Sequence, residues 1–215
     1  GSVPPVGVGL LAITLTSNEA LIAAPGLTVT PAGAGSPVAI GLTRIDDLTY
    51  AGSFNVTGTT PSGTAAIFAS GRDQAGNAFS GTPSGLSLVI DTKGPLGTVS
   101  TNPGEPVQVL SNINAGVTLM LSEPVRVNTI PELIFTPPAG NQIGIAMVGS
   151  GANWSGILPL NPAMGSGFGQ FTMSAEDGLG NAGTTIGSGT SLEIYNTATP
   201  EATPAPGNLT AVSWP

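Results

Sequence analysis

Apolar and polar residues alternate along short stretches of this chain, and the stretches come twice. Leu11, Ile13 and Leu15 stand on one side of a period-two run whose other side is Ala12, Thr14 and Thr16. Val117, Leu119 and Leu121 repeat that pattern, and Ile13 to Val117 is a spacing of 104 residues. Ala65, Ile67 and Ala69 alternate with Ala66, Phe68 and Ser70, matched by Phe171 and Met173. Leu86, Leu88 and Ile90 are matched by Leu192 and Ile194. Runs of this length bounded by Gly, Pro, Asn and Asp predict half-buried antiparallel strands, about seven in each copy. No stretch of about 12 residues free of Gly and Pro carries apolar residues at helical spacing, so helices are not expected. The pattern predicts an all-β fold: two tandem β-sandwiches of two sheets each.

Punctuation between the strands repeats as well. Asp73-Gln-Ala-Gly-Asn77 recurs as Asp177-Gly-Leu-Gly-Asn181, Tyr50-Ala-Gly-Ser as Trp154-Ser-Gly-Ile, and Glu19 as Glu123. The expected domains are residues 1–94 and 95–198, followed over 199–215 by a proline-rich linker and a further strand. Tyr50 and Trp154 head equivalent strands and are expected in the cores. A ligand-stacking platform would need several exposed rings, and only Phe54 lies near Tyr50 in sequence. The register slips around 31–37 and 137–142 and then recovers, which marks surface loops. Asp91-Thr-Lys-Gly-Pro95 and Asn196-Thr-Ala-Thr-Pro200 close the two copies as short, proline-stiffened linkers.

Composition narrows the chemistry. Only 7% of residues are charged, against roughly 25% in an ordinary soluble domain. Four basic residues (Arg44, Arg72, Lys93, Arg126) face twelve acids, for a net charge of −8. A basic patch for nucleic acid or an anionic membrane surface is therefore not expected. Cysteine and histidine are both absent. Thiol chemistry, disulfides and the commonest general base and zinc ligand are thereby excluded. No Gly-x-Ser-x-Gly elbow or phosphate loop stands between a strand and a helix. Gly165-Ser-Gly-Phe-Gly169 leads into a strand and reads as a hairpin turn. Asn55-Val-Thr, Asn153-Trp-Ser and Asn208-Leu-Thr satisfy the glycosylation sequon, a match that is read as chance.

The acids are the remaining candidates. In Asp-x-x-Gly-Asn the Asp accepts N–H groups across its own turn while Gly supplies positive φ, and this turn role is the plainer reading. The sharper reading is calcium, with Asp73, Asp91 and Asp177 as candidate ligands and Asp46, Asp47 or Glu176 as helpers. Calcium wants six to eight oxygens, and Asp91 has Tyr195 as its counterpart, so the repeat does not imply a matched pair of sites. Asp46-Asp47 reads as a solvated loop pair, because neighbours on a strand cannot face each other across a cleft. Glu19 and Glu123 are expected where a strand ends. No catalytic residue and no cofactor is expected.

Leu121-Ser-Glu-Pro-Val125, Ala175 to Asn181 and the Asp-Thr-x-x-Pro closure at Asp91–Pro95 resemble bacterial immunoglobulin-like tandem repeat domains. The first copy departs from that pattern with Ser17-Asn-Glu-Ala20. Pro206 to Val212 resembles the opening strand of a fibronectin type III domain. The resemblance covers residues 10–198 and implies immunoglobulin-like sandwiches in a bacterial cell-surface or secreted, extracellular protein. The expected role is a non-enzymatic structural spacer, a stalk or adhesin segment, whose partners are neighbouring domains. Two alternatives stay open. One is a filament or sheath subunit in which a terminus such as Val3 to Leu11 adds a strand to a neighbour. The other is a carbohydrate- or protein-binding accessory module, which would need an exposed aromatic cluster.

Overall fold

The computed structural model describes residues 4–85 and 87–197, so the segment 199–215 and Leu86 lie outside the described residues. The chain divides into two compact units. Among the described residues, the first contains those up to Pro95 together with Glu123–Thr129 and Ala175–Thr184. The second contains Leu96–Ser122, Ile130–Ser174 and those from Thr185 onward. The repeat runs along the chain, whereas the units are bodies in space, and two turns of the second repeat belong to the first body.

In the first repeat the strands are β1 (Gly9–Thr16), β2 (Gly26–Thr30), β3 (Val38–Ile40), β4 (Thr43–Arg44), β5 (Thr49–Val56), β6 (Gly63–Arg72), β7 (Ala78–Gly81) and β8 (Leu88–Ile90). One sheet has the order β1-β5-β4, and the other has β3-β2-β6-β7 with β8 also on β6. Alternation decides what each strand buries. Ala65, Ile67 and Ala69 of β6 face inward against Leu27 and Val29, while Ala66 and Phe68 face out. Ile13, Ile40, Phe54, Val56, Leu88 and Ile90 complete this core. Burying a side chain of the Val, Leu, Ile or Phe kind stabilises by about 1.5–3 kcal/mol, so period two is enough to select the face.

In the second repeat the strands are β9 (Gly97–Asn102), β10 (Val107–Gln108), β11 (Ile113–Leu121), β12 (Glu132–Thr136), β13 (Ile143–Ile145), β14 (Val148–Ser150), β15 (Asn153–Leu160), β16 (Gly167–Glu176), β17 (Ala182–Gly183), β18 (Ile186–Ser188) and β19 (Ser191–Tyr195). One sheet runs β14-β15-β11-β9-β18; the other runs β10-β19-β16-β12-β13, with β17 on the end of β16. Phe135 and Phe171 meet in the core at 4.9 Å between ring centroids, tilted by 47°. Counts above seven come from two- and three-residue pieces at the sheet edges.

Tyr50 and Trp154 are buried, as the pattern requires, opposite Leu15 and Leu119 respectively. One expectation needs correction. The Gly165–Gly169 segment is no hairpin turn: β15 and β16 lie in different sheets, and a one-turn 3₁₀ helix, Pro162–Met164, carries the chain across. Of the stretch Val3 to Leu11, Val3 lies outside the described residues, Val6 makes a parallel bridge with Ile90, and Gly9 to Leu11 pair along β5.

Candidate functional site

The Asp-x-x-Gly-Asn segments fold as matched turns, one after β6 and one after β16. In the first, Asp73 Oδ1 accepts from the Asn77 N–H at 2.8 Å and Oδ2 from Asn77 Nδ2 at 2.7 Å. In the second, Asp177 Oδ1 accepts from Leu179 N and Asn181 N at 2.8 and 2.9 Å, and Oδ2 from Asn181 Nδ2 at 2.7 Å. Gly76 and Gly180 sit at φ of 91° and 89°, a conformation that a Cβ would penalise. The expected turn role is what the geometry shows. The side-chain hydrogen bond from Asn77 is the main reason that Asp73 holds its proton below the ordinary carboxylate range; backbone N–H groups help, and burial opposes.

Three chain segments converge beside the second turn. Asn181 Nδ2 also donates to the backbone carbonyl of Asp91 at 3.1 Å, which ties the closing segment of the first repeat to the turn. Glu123 stands just beyond the end of β11. Carboxylate oxygens of Asp91, Glu123 and Asp177 lie within 4.8 Å of one another. Asp91 Oδ1 is within reach of Ser62 Oγ at 3.4 Å and accepts from the Lys93 N–H at 3.2 Å. Burial, and then the negative charges of Asp91 and Asp177, push the Glu123 carboxyl above its ordinary range.

These three residues are the ones that could hold a divalent cation. Together they offer a fraction of the six to eight oxygens calcium takes, and both Asp177 oxygens already accept N–H groups. Of the sequence candidates, Asp91 and Asp177 meet and Asp73 stays apart, lining a groove with Glu19. Glu176 is paired with Arg126. Asp46 caps its own turn through Leu48 N and Thr49 N, both at 2.9 Å, and Asp47 pairs with Arg44 at 2.7 Å. Glu123 is the residue that reading the sequence did not place here. Its strand-end position was visible, but its neighbours come from two distant segments.

Two sheets face to face, written twice with the same turn lock, define an all-β, tandem-repeat sandwich protein. The sequence matches no family model and no curated protein. Among solved structures the chain is similar to a tetra-tandem repeat in the extending region of a large adhesion protein, at 22% identity and a TM-score of 0.36. That match covers 88% of this chain and 50% of the other, so the chain spans half the length of that structure. It is also similar to fibronectin(III)-like modules of Clostridium thermocellum CbhA, at 12% identity and a TM-score of 0.28 over 89% of this chain and 87% of that one. Titin Ig tandem domains match at 11% identity and a TM-score of 0.30, over 88% and 90% of the two chains.

Proposed function

We infer that this chain is a non-enzymatic, load-bearing spacer in a multidomain surface or secreted protein. One observation carries the reading: in each repeat a segment near its start pairs in parallel with the closing strand. In the first, Val6 N donates to Val89 O at 2.8 Å and Asp91 N to Val6 O at 2.9 Å. In the second, β10 runs parallel to β19, and Val109 N donates to Tyr195 O at 2.8 Å. Pulling the ends of such a repeat apart draws parallel neighbours in opposite directions. The hydrogen bonds between them are then loaded together in shear and must break together. A hairpin opened from its end would lose them one at a time. The short linkers with their prolines fit the same role, since they add little slack. The recurring residues are core and turn residues, and a spacer needs little else.

Single-molecule pulling on the full chain tests this. Two separate unfolding events are expected, each releasing about 300 Å for roughly 90 residues at ~3.4 Å apiece. Val6→Pro removes the donor to Val89 O and should lower the unfolding force of the first repeat alone. Equal forces with and without that substitution would sink the reading.

A further inference from the structure

Among the described residues, the second unit carries charge at one sheet only. Its charged side chains are Glu105, Glu132 and Glu193. Glu132 lies on β12 and Glu193 on β19, and Glu105 Oε2 accepts the Glu193 N–H at 3.0 Å. The other sheet, β14-β15-β11-β9-β18, has no Asp, Glu, Lys or Arg in any strand. The first repeat differs at the matching edge. There Arg44, Asp46 and Asp47 stand beside the β1-β5-β4 sheet, with Arg44 and Asp47 paired at 2.7 Å. At the 104-residue spacing the second repeat has Val148, Ser150 and Gly151 in their place. Charged side chains guard a sheet against other chains, and the second repeat has none at this edge.

Period two decides what the neutral sheet turns outward. β11 buries Ala115, Val117 and Leu119 and turns Gly116, Thr118 and Met120 out, while β15 buries Trp154 and turns Ser155 and Ile157 out. Three large apolar side chains stand in this face: Met120 is 53% exposed, Val148 74% and Ile157 58%. Ser155, Thr118 and Ser100 form one row across β15, β11 and β9. In another row Ile157 stands opposite Gly116. A Cβ at Gly116 would meet the Asn102 carbonyl oxygen at 3.7 Å and no side chain. The face therefore carries a knob beside a hole.

We propose that this neutral face packs against the same face of a second copy about a two-fold axis, each Ile157 seated over the partner's Gly116. A two-fold contact needs one patch that complements itself, and a knob beside a hole does so. Each chain has a net charge of −8, so copies repel where their acids come close. Apposing these faces keeps the acids of the second unit on its far sheet. Five strands ~4.8 Å apart and eight residues of β15 at ~3.4 Å each give a face of about 19 by 27 Å. Two such faces cover about 1,000 Å², where specific interfaces begin, so the contact is a weak one. The face has no aromatic ring, which leaves a sugar nothing to stack on.

Sedimentation velocity of the full chain over a concentration series, repeated at several salt concentrations, tests this. The average mass should rise from one chain toward two, and added salt should strengthen association by screening the acids. Ile157→Glu should weaken the dimer at least about tenfold, as loss of a central apolar contact does. Phe168→Glu makes the same charge change at a 59% exposed ring on the other sheet and should leave association nearly unchanged. Gly116→Thr fills the hole with a strand-favouring residue, so it should weaken association while Tm holds or rises. A chain monomeric throughout, growth past two copies, association weakened by salt, or I157E and F168E acting alike would each overturn the proposal. The spacer reading does not rest on this contact, and a monomeric chain would leave that reading intact.

Discussion

Tyr50→Phe should stabilise the first unit, although it deletes a polar group from a side chain that is fully buried. The Tyr50 Oη is shielded from solvent and has no hydrogen-bond partner among the described residues. Burying a hydroxyl without a partner costs about 1–3 kcal/mol on mutational scales. Removing the oxygen leaves a void of roughly 10 Å³, which at ~24 cal/mol per Å³ returns only about 0.2 kcal/mol. The net gain is about 1–2 kcal/mol, and each kcal/mol is worth about 4–8 °C in a domain of this size. Calorimetry or urea denaturation that resolves the first unit's transition would measure it. Trp154→Phe in the second repeat is the control with the opposite sign. Its indole N–H donates to Gly151 O at 3.0 Å, so the loss should cost about 1–3 kcal/mol. A Tyr50→Phe protein destabilised by ~1 kcal/mol or more would refute the reasoning, because the hydroxyl would then be satisfied in solution.

Three further outcomes follow from the turns and the acids beside them. Asn181→Ala removes donors to Asp177 Oδ2 and Asp91 O and should cost about 1.5–3 kcal/mol; Asn77→Ala, with one side-chain bond, should cost less, by chemical denaturation of each variant. Glu123 has its folded pKa raised from 4.5, so the folded state keeps that proton longer than the unfolded chain, and stability falls as pH rises from about 4.5 through the folded value. Glu123→Gln should therefore raise Tm at pH 7 in chelator-treated buffer and match the parent below about pH 4; a lower Tm at pH 7 would show the acid to be stabilising. Asp73 has its folded pKa lowered from 3.8, so its contribution is present above that pH and is lost as pH falls through the folded value. Asp73→Asn should melt lower at pH 7, converge with the parent near pH 2 and flatten the acid limb of a Tm-against-pH curve.

The strands were legible because burial at a sheet face obeys a period the sequence carries openly. Ile13, Ile67 and Leu88 of the first copy, and Val117, Phe171 and Leu192 of the second, could be assigned inward from alternation alone, and all are buried. The Asp73 and Asp177 turns were legible for a related reason, since the Asp, Gly and Asn that build each one are neighbours in sequence. Connections across the molecule carry no such local mark. Gly165 to Gly169 has the composition of a hairpin, and only the membership of β15 and β16 in different sheets shows a crossover. Glu123 meets Asp91 and Asp177 through three strand ends reaching one place, which no spacing rule encodes.

The two copies act as internal controls for each other, and one difference lies in the parallel clamp. Among the described residues the parallel clamp of the first repeat is the Val6–Ile90 bridge, while that of the second is a ladder at Val107 and Gln108 continued by Val109. The core recurs and acts inside one copy, whereas the second turn lock also reaches the closing segment of the first through Asn181 Nδ2 and the Asp91 carbonyl, so the second copy's turn adds a tie that the first copy's turn does not make among the described residues.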